Sequence, residues 1–337
     1  MNRDGADFEV VVMALCPEEH FRRFCDYYLD QGASRILVFH DGDPGFSPND
    51  CRIEATVCDS AFWAATGQER PFSVEERQRF IYRQVYARCQ ARWLLIVDID
   101  EFVFGPKPLD RFFGALDGEP DCVRFTSAEA VYLASENLTR DFGASTFRLP
   151  MERHVSPVLA RIVYGRMGAL FTRGLLGHSR GKQAVRTGNP ALVVDIHDAA
   201  VRSSDTTRLD ATAAHGFHLA HYDAISFPRW AAKCADRLSR LDAQEMGRKR
   251  ERQLALFASC RTPVEREQLF RRLYTLSWWQ KRFLKALRLL CAEAPIMKQA
   301  PEPVSPASAH AGHSIRGSMI AQRQDACNSV QQSPTDR

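Results

Sequence analysis

No two of the ten cysteines form a CxxC pair, and their positions, Cys16, Cys25, Cys51, Cys58, Cys89, Cys122, Cys234, Cys260, Cys291 and Cys327, follow no regular spacing. A zinc ribbon or redox dithiol is therefore excluded as an organising element. Long hydrophobic runs are missing as well, and no apolar stretch reaches the length that crosses a bilayer. Residues 1–7 lack the basic-then-apolar pattern of a secretory leader, so the expectation is a reducing, cytosolic location with free thiols. There the sequon Asn137-Leu138-Thr139 meets no glycosylation machinery. No segment repeats at a solenoid period.

What is present is a 337-residue chain with 45% hydrophobic and 26% charged residues, enough for one large α/β domain with an appendage or for two modest domains. The net charge of +4 is unevenly spread. Residues 227–290 hold sixteen Lys or Arg against six Asp or Glu, a local +10 that leaves −6 for the remainder. That C-terminal segment is suited to meet something anionic. From residue 295 onward Ala, Ser, Pro, Gln and Gly dominate, and we expect a disordered tail over 295–337.

Residues 8–15 form a short, apolar, β-branched run, the mark of a buried parallel strand. Pro17, Glu18 and Glu19 open a helix on which Phe21, Phe24, Cys25, Tyr28 and Leu29 recur at helical spacing, and Gly32 ends it. Residues 35–40 read as the next strand, completing a βαβ unit, and residues 52–57 as a third. Residues 74–89 predict a helix with Phe80, Ile81, Val85 and Tyr86 on one side. It feeds the most apolar strand, residues 92–97, which stops at Asp98-Ile99-Asp100-Glu101-Phe102. Residues 228–256 and 263–291 regain helical periodicity.

At the end of a strand, Asp98 and Asp100 fall on the same side of the chain because strand side chains alternate. Two like charges held together are offset by a hard divalent cation, and carboxylates suit Mg2+ or Mn2+ that also takes diphosphate oxygens. The plainer alternative is a polar strand end whose acids cap a helix.

The stretch from Trp93 to Asp98-Ile99-Asp100-Glu101-Phe102 resembles the W…D-x-D-E-F segment of bacterial glycosyltransferases in the broad family 2 and family 92 group. The segment Gly177-His178-Ser179-Arg180-Gly181-Lys182-Gln183-Ala184-Val185-Arg186, followed by Asp195-Ile196-His197, is similar to that group's G-K-x-x-V-R stretch. His218-Leu219-Ala220-His221-Tyr222, with Ser226 and Lys233, is similar to its H-Y…S…K segment. The resemblance spans roughly residues 8–235. It implies a GT-A-like nucleotide-binding fold with a mostly parallel central sheet over residues 1–235; beyond it, the helical periodicity and basic charge predict a helical extension over 236–294. It also implies a nucleotide-diphosphate sugar donor, a glycan or lipid-linked acceptor, and a divalent metal, Mn2+ or Mg2+. By the same resemblance Asp98, Asp100 and His221 hold the metal, Asp98, Asp100 and Glu101 are catalytic, and Asp41, Lys182, Arg186, His221 and Lys233 contact the donor. Departures from the pattern are Cys16-Pro17 after the first strand, where the group has Asn-Glu, and Phe39-His40-Asp41-Gly42-Asp43 after the second.

An inverting reaction needs a carboxylate to take the acceptor's proton, and Glu101, Glu129, Asp195 and Asp198 are all candidates. Residues 274–288 mix aromatics with cations. They suit peripheral contact with an anionic membrane face, or a helix that packs its aromatics inward and leaves a solvated basic face. No nucleic-acid module accompanies the basic charge. Two rival readings are a non-catalytic carbohydrate-binding or scaffolding protein on the same fold, and a haloacid-dehalogenase-type phosphotransferase. The latter expects Thr where this chain has Phe102.

Overall fold

The computed structural model describes residues 7–116, 120–201, 207–208, 211–239 and 247–292. The tail expected over 295–337 lies outside the described residues. β1 (Phe8–Ala14), α1 (Glu18–Asp30) and β2 (Arg35–His40) form the opening βαβ unit, followed by β3 (Ile53–Val57), α2 (Ser60–Thr66), α3 (Val74–Arg88) and β4 (Trp93–Ile96). Next come β5 (Glu101–Phe104), α4 (Leu109–Gly114), the long β6 (Cys122–Leu133), β7 (Thr146–Arg148) and α5 (Ser156–Tyr164) with a 3-10 turn over Gly165–Leu170. β8 (Lys182–Arg186), β9 (Leu192–Val194), β10 (Ala199–Val201), β11 (Thr207–Arg208) and β12 (Thr212–His221) lead to the C-terminal part. That part holds α6 (Phe227–Ser239), α7 (Arg248–Ser259), α8 (Pro263–Tyr274), β13 (Thr275–Leu276), α9 (Trp278–Ala286) and β14 (Leu290–Ala292).

The α/β fold expected from the sequence is the one observed. The central sheet runs β14-β7-β6-β8-β4-β1-β2-β3, with β12 joined to β5 and β6 and β13 joined to β6. Pairing is parallel throughout β3-β2-β1-β4, and β6 is parallel to β12 and β13. Antiparallel β8 joins the two halves. β1 shows why the first strands are apolar without alternation: every residue is buried, Val10 and Val12 in a core shared with α1, Val11 and Met13 in a second core shared with α3. β4 repeats the pattern, with Trp93 and Leu95 on one face and Leu94 and Ile96 on the other. Both faces of a parallel sheet are thus covered.

α1 begins after Pro17 with Glu18 and Glu19 in its first turn and ends where Gly32 adopts φ +89°. α3 is capped by Ser73, whose side chain accepts from the Glu76 N–H at 3.0 Å. The helix expected over 263–291 is broken: β13 interrupts it, and Ser277 caps a new helix with the reciprocal Gln280 contact. Among the described residues no helix is long and apolar enough to cross a membrane, and the nine described cysteines are free.

Candidate functional site

The C-terminal ends of β1 and β4 open on a cavity of about 570 Å³. In an open α/β sheet this edge is where ligands sit. Its lining comes from far-separated segments: Asp98 and Asp100 after β4, His178 and Arg180 before β8, Asp195–Asp198 between β9 and β10, and His221, Asp223, Lys233, Arg237 and Arg250 from the end of β12, α6 and α7.

Asp98 and Asp100 do not lie on a strand. β4 ends at Ile96, and residues 98–101 form a turn in which the Glu101 N–H donates to the Asp98 carbonyl at 3.0 Å. The Glu101 carboxylate folds back to accept the Asp98 N–H at 2.8 Å, so turn geometry, not strand alternation, aims the two acids into the cavity. Both already face a cation or donor. Asp98 lies 2.8 Å from Lys182 Nζ and accepts from Gln78 at 3.2 Å, and Asp100 lies 3.6 Å from Lys233 Nζ.

Beneath them, β5 and β12 pair antiparallel with Glu101 opposite His221, and β6 places Glu129 beside His221. This pairing gathers Glu101, His178 and His221, whose candidate ligand atoms lie within 4.8 Å of one another. His178 Nδ1 and His221 Nδ1 are buried with no hydrogen-bond partner among the described residues, and Glu101 Oε1 has only His178 Nε2 near it, at 3.4 Å. Such orphaned atoms in a cluster fit a cation. His221 is grouped with Glu101 and His178, and Asp98 and Asp100 lie outside that group. Gly177 makes room, because a Cβ there would sit 3.0 Å from the His221 ring and 3.2 Å from Glu129 Oε1.

Burial disfavours the charge on Glu101, but Lys182 and the nearby histidines outweigh it and hold the carboxyl well below the usual carboxylate range. Burial likewise opposes the Lys182 charge, and Asp98 and Glu101 overcome it, raising the ammonium pKa. His197, whose ring centroid is 4.2 Å from that of His178, is pushed down to about 4 by burial, with Lys182 and His178 adding to it. Asp223 is fully enclosed. Burial raises its pKa, yet Arg250, Lys233 and His221 prevail and keep it well below the usual range. It accepts from Tyr274 at 2.6 Å and lies within 3.4 Å of Lys233 Nζ and 3.3 Å of Arg250.

Several expected site residues are placed elsewhere. Arg186 sits at the far end of β8, its guanidinium 5.1 Å from the centre of the Trp93 ring and its Nε donating to the Pro120 carbonyl. Lys182 and Arg186 bracket the same strand, and the rise along it carries them to opposite ends. Lys182 itself is wholly buried and does not line the cavity. Asp41 follows β2 at the same sheet edge, but Arg70 and Arg77 hold its carboxylate at 2.8 and 2.7 Å. Among the candidate bases, Glu101 and Glu129 are fully buried, and Glu129 is consumed by Arg148 and the Leu176 and Gly177 amides. Asp195 and Asp198 line the cavity, Asp195 bound by Arg79 at 3.1 Å and Asp198 by Arg124 and Arg180. The sequence motifs contain His178 without giving it a role, and they do not include Asp223, Arg237 or Arg250. Asp223 stands two residues after His221, which is the one local signal that pointed to it.

No family model matches this chain, and no curated protein matches it. Among solved structures it is similar to the mannosyltransferase Ktr4p from S. cerevisiae, 8% identical over 39% of this chain and 41% of that one with a TM-score of 0.22. It is also similar to GalNAc-T7, solved with UDP, GalNAc and Mn2+, 8% identical over 86% of this chain and 59% of that one with a TM-score of 0.32. The chain spans less than two thirds of the length of either protein.

Proposed function

We propose that this protein is a glycosyltransferase of GT-A-like fold, moving a sugar from a nucleotide-diphosphate donor to a glycan or lipid-linked acceptor with the help of a divalent metal. One observation carries the reading. A cavity at the carboxyl edge of parallel strands is lined both by acids and histidines (Asp98, Asp100, His178, His221) and by a cluster of cations (Lys233, Arg237, Arg250) gathered around Asp223. The three cations outnumber that one acid, and fixed positive charge in a partly enclosed site stabilises the charge that builds on a departing nucleotide diphosphate without reorganising.

Glu101, His178 and His221 would hold the metal, with Asp98 and Asp100 above them facing the donor. Two imidazoles beside one carboxylate favour Mn2+ over Mg2+. When bound, the ion acts as a Lewis acid on the diphosphate. Lys182 neutralises Asp98 and Glu101 from below, and Asp195 and Asp198 are the acids with access to an acceptor.

Titration calorimetry with UDP, GDP and CDP, with and without Mn2+, tests the proposal. At least one nucleotide is expected to bind roughly tenfold or more tightly with the metal, and His178→Ala to remove that gain while the protein stays folded. Gly177→Ala, which crowds the His221 ring, is expected to weaken Mn2+ binding by roughly tenfold with a smaller change in thermal stability. A metal-dependent gain that survives in His178→Ala would contradict the assignment. The non-catalytic reading is favoured by one fact, that Asp98 and Asp100 each already face a lysine. Nucleotide or glycan binding that is indifferent to metal, with no hydrolysis of any sugar nucleotide, would select it.

A further inference from the structure

Two stretches of this chain carry no acidic residue. Between Glu152 and Asp195 there are seven Lys or Arg and no Asp or Glu, and between Glu267 and Glu293 there are six and none. The first contains α5 and the second α9. The fold joins them: the Gln280 side chain, in the first turn of α9, donates to the Val163 carbonyl in the last turn of α5 at 2.8 Å.

Each helix buries one face and leaves large apolar side chains bare on the other. In α5, Ser156, Ala160, Val163 and Tyr164 face inward while Val158 (63% exposed) and Ile162 (53%) stand one turn apart on the outside, with Val155 beside them. In the segment 274–288, Tyr274, Leu276 and Leu284 pack into the core, so part of it follows the packing alternative. Trp278 (73% exposed) and Trp279 face solvent, as does Leu287. Arg282 lies 5.0 Å from the centre of the Trp278 ring, and Arg161, Arg166, Lys285 and Arg288, on or next to the same two helices, are exposed. Adjacent large apolar side chains that stay exposed and are rimmed by charge of one sign mark a docking surface.

We propose that α5 and α9 together form a docking surface for an anionic phospholipid bilayer. Trp278, Trp279, Val158 and Ile162 enter the boundary between headgroups and acyl chains, and Arg161, Arg282, Lys285 and Arg288 meet lipid phosphates. Indole rings settle at that boundary, and cationic stems lie along apolar surface while their heads stay in water. Each basic residue near an anionic leaflet adds to the attraction. A second copy of this chain is disfavoured as the occupant, because a symmetric contact would press the same cations against one another. The proposal does not depend on the transfer reaction, although a surface of this kind would bring the protein to lipid-linked acceptors.

The full chain would be sedimented with vesicles of phosphatidylcholine alone and of phosphatidylcholine mixed with phosphatidylglycerol. Binding to the anionic vesicles is expected at low salt, with little to the neutral ones, and release as ionic strength rises. Trp278→Ser/Trp279→Ser, Val158→Ser/Ile162→Ser and Lys285→Glu/Arg288→Glu are each expected to lower partitioning by roughly tenfold or more. All six side chains are exposed, so thermal unfolding should be nearly unchanged and serves as the folding control. Failure to bind either vesicle would overturn the proposal. So would variants that bind like the parent, which would place the lipid contact elsewhere, or a dimer dissolved by the tryptophan changes in light scattering without any effect of lipid.

Discussion

Lys182→Met is expected to lower the unfolding free energy by about 3–5 kcal/mol, the usual penalty for stripping one partner from a buried ion pair. The ammonium is wholly enclosed, 2.8 Å from an Asp98 oxygen and 3.6 Å from Glu101 Oε2. Asp98 is about one-third exposed and can turn to water, so its share of the loss is small. Glu101 has no such escape: it is fully buried, and without Lys182 only the Asp98 amide and the histidines remain to it. The penalty therefore belongs mainly to one carboxylate, and the double variant Lys182→Met/Glu101→Gln should recover more than half of it. Urea unfolding followed by tryptophan fluorescence measures all three proteins. A single variant as stable as the parent, or a double variant that adds the two losses, would show that the three groups do not act as one unit.

The first part of this fold was legible because each element is defined by its own residues. The βαβ unit, α3 and β4 lie within a residue or two of the patterns that announce them, since strands covered on both faces are apolar throughout and helices recur at 3.6 residues. β6 and β12 were not legible. They pair across about ninety residues, and β12 shifts register between Ala213 and His218, so neither shows clean alternation. The site divides along the same line. Asp98, Asp100, His221 and Lys233 could be named from local motifs, and all four line the cavity. Arg237 and Arg250 could not, because a cation on a basic helix reads as a solvated face until the packing of that helix is known. Glu101 was legible as a member of a motif but its surroundings were not, because the strand that places His221 opposite it comes from far along the chain.

Arg148→Met is the second large effect, again about 3–5 kcal/mol, and it should reach the cavity although Arg148 lies outside it. Arg148 and Glu129 are each 1% exposed, with the guanidinium Nε donating to Glu129 Oε2 at 2.6 Å and Nη1 to the Leu273 carbonyl at 3.2 Å. The guanidinium also lies over the rings of Tyr164 and Phe171, at 5.5 and 4.8 Å. One side chain thus ties β7 to β6, to α5 and to the end of α8. Its partner's other oxygen holds the Gly177 N–H at 2.6 Å and the Leu176 N–H at 2.9 Å, immediately before His178. Deprived of Arg148, the Glu129 carboxylate must draw in water or a proton, and either change loosens the strap that carries His178 to Glu101 and His221. The expected signature is a lost unfolding free energy together with weaker Mn2+ binding. Glu129→Gln/Arg148→Met keeps an oxygen for the two amides while removing both charges, so it should regain part of the stability and most of the metal affinity. Metal affinity that stays at the parental level in Arg148→Met, read by calorimetry below the unfolding midpoint, would separate the strap from the site.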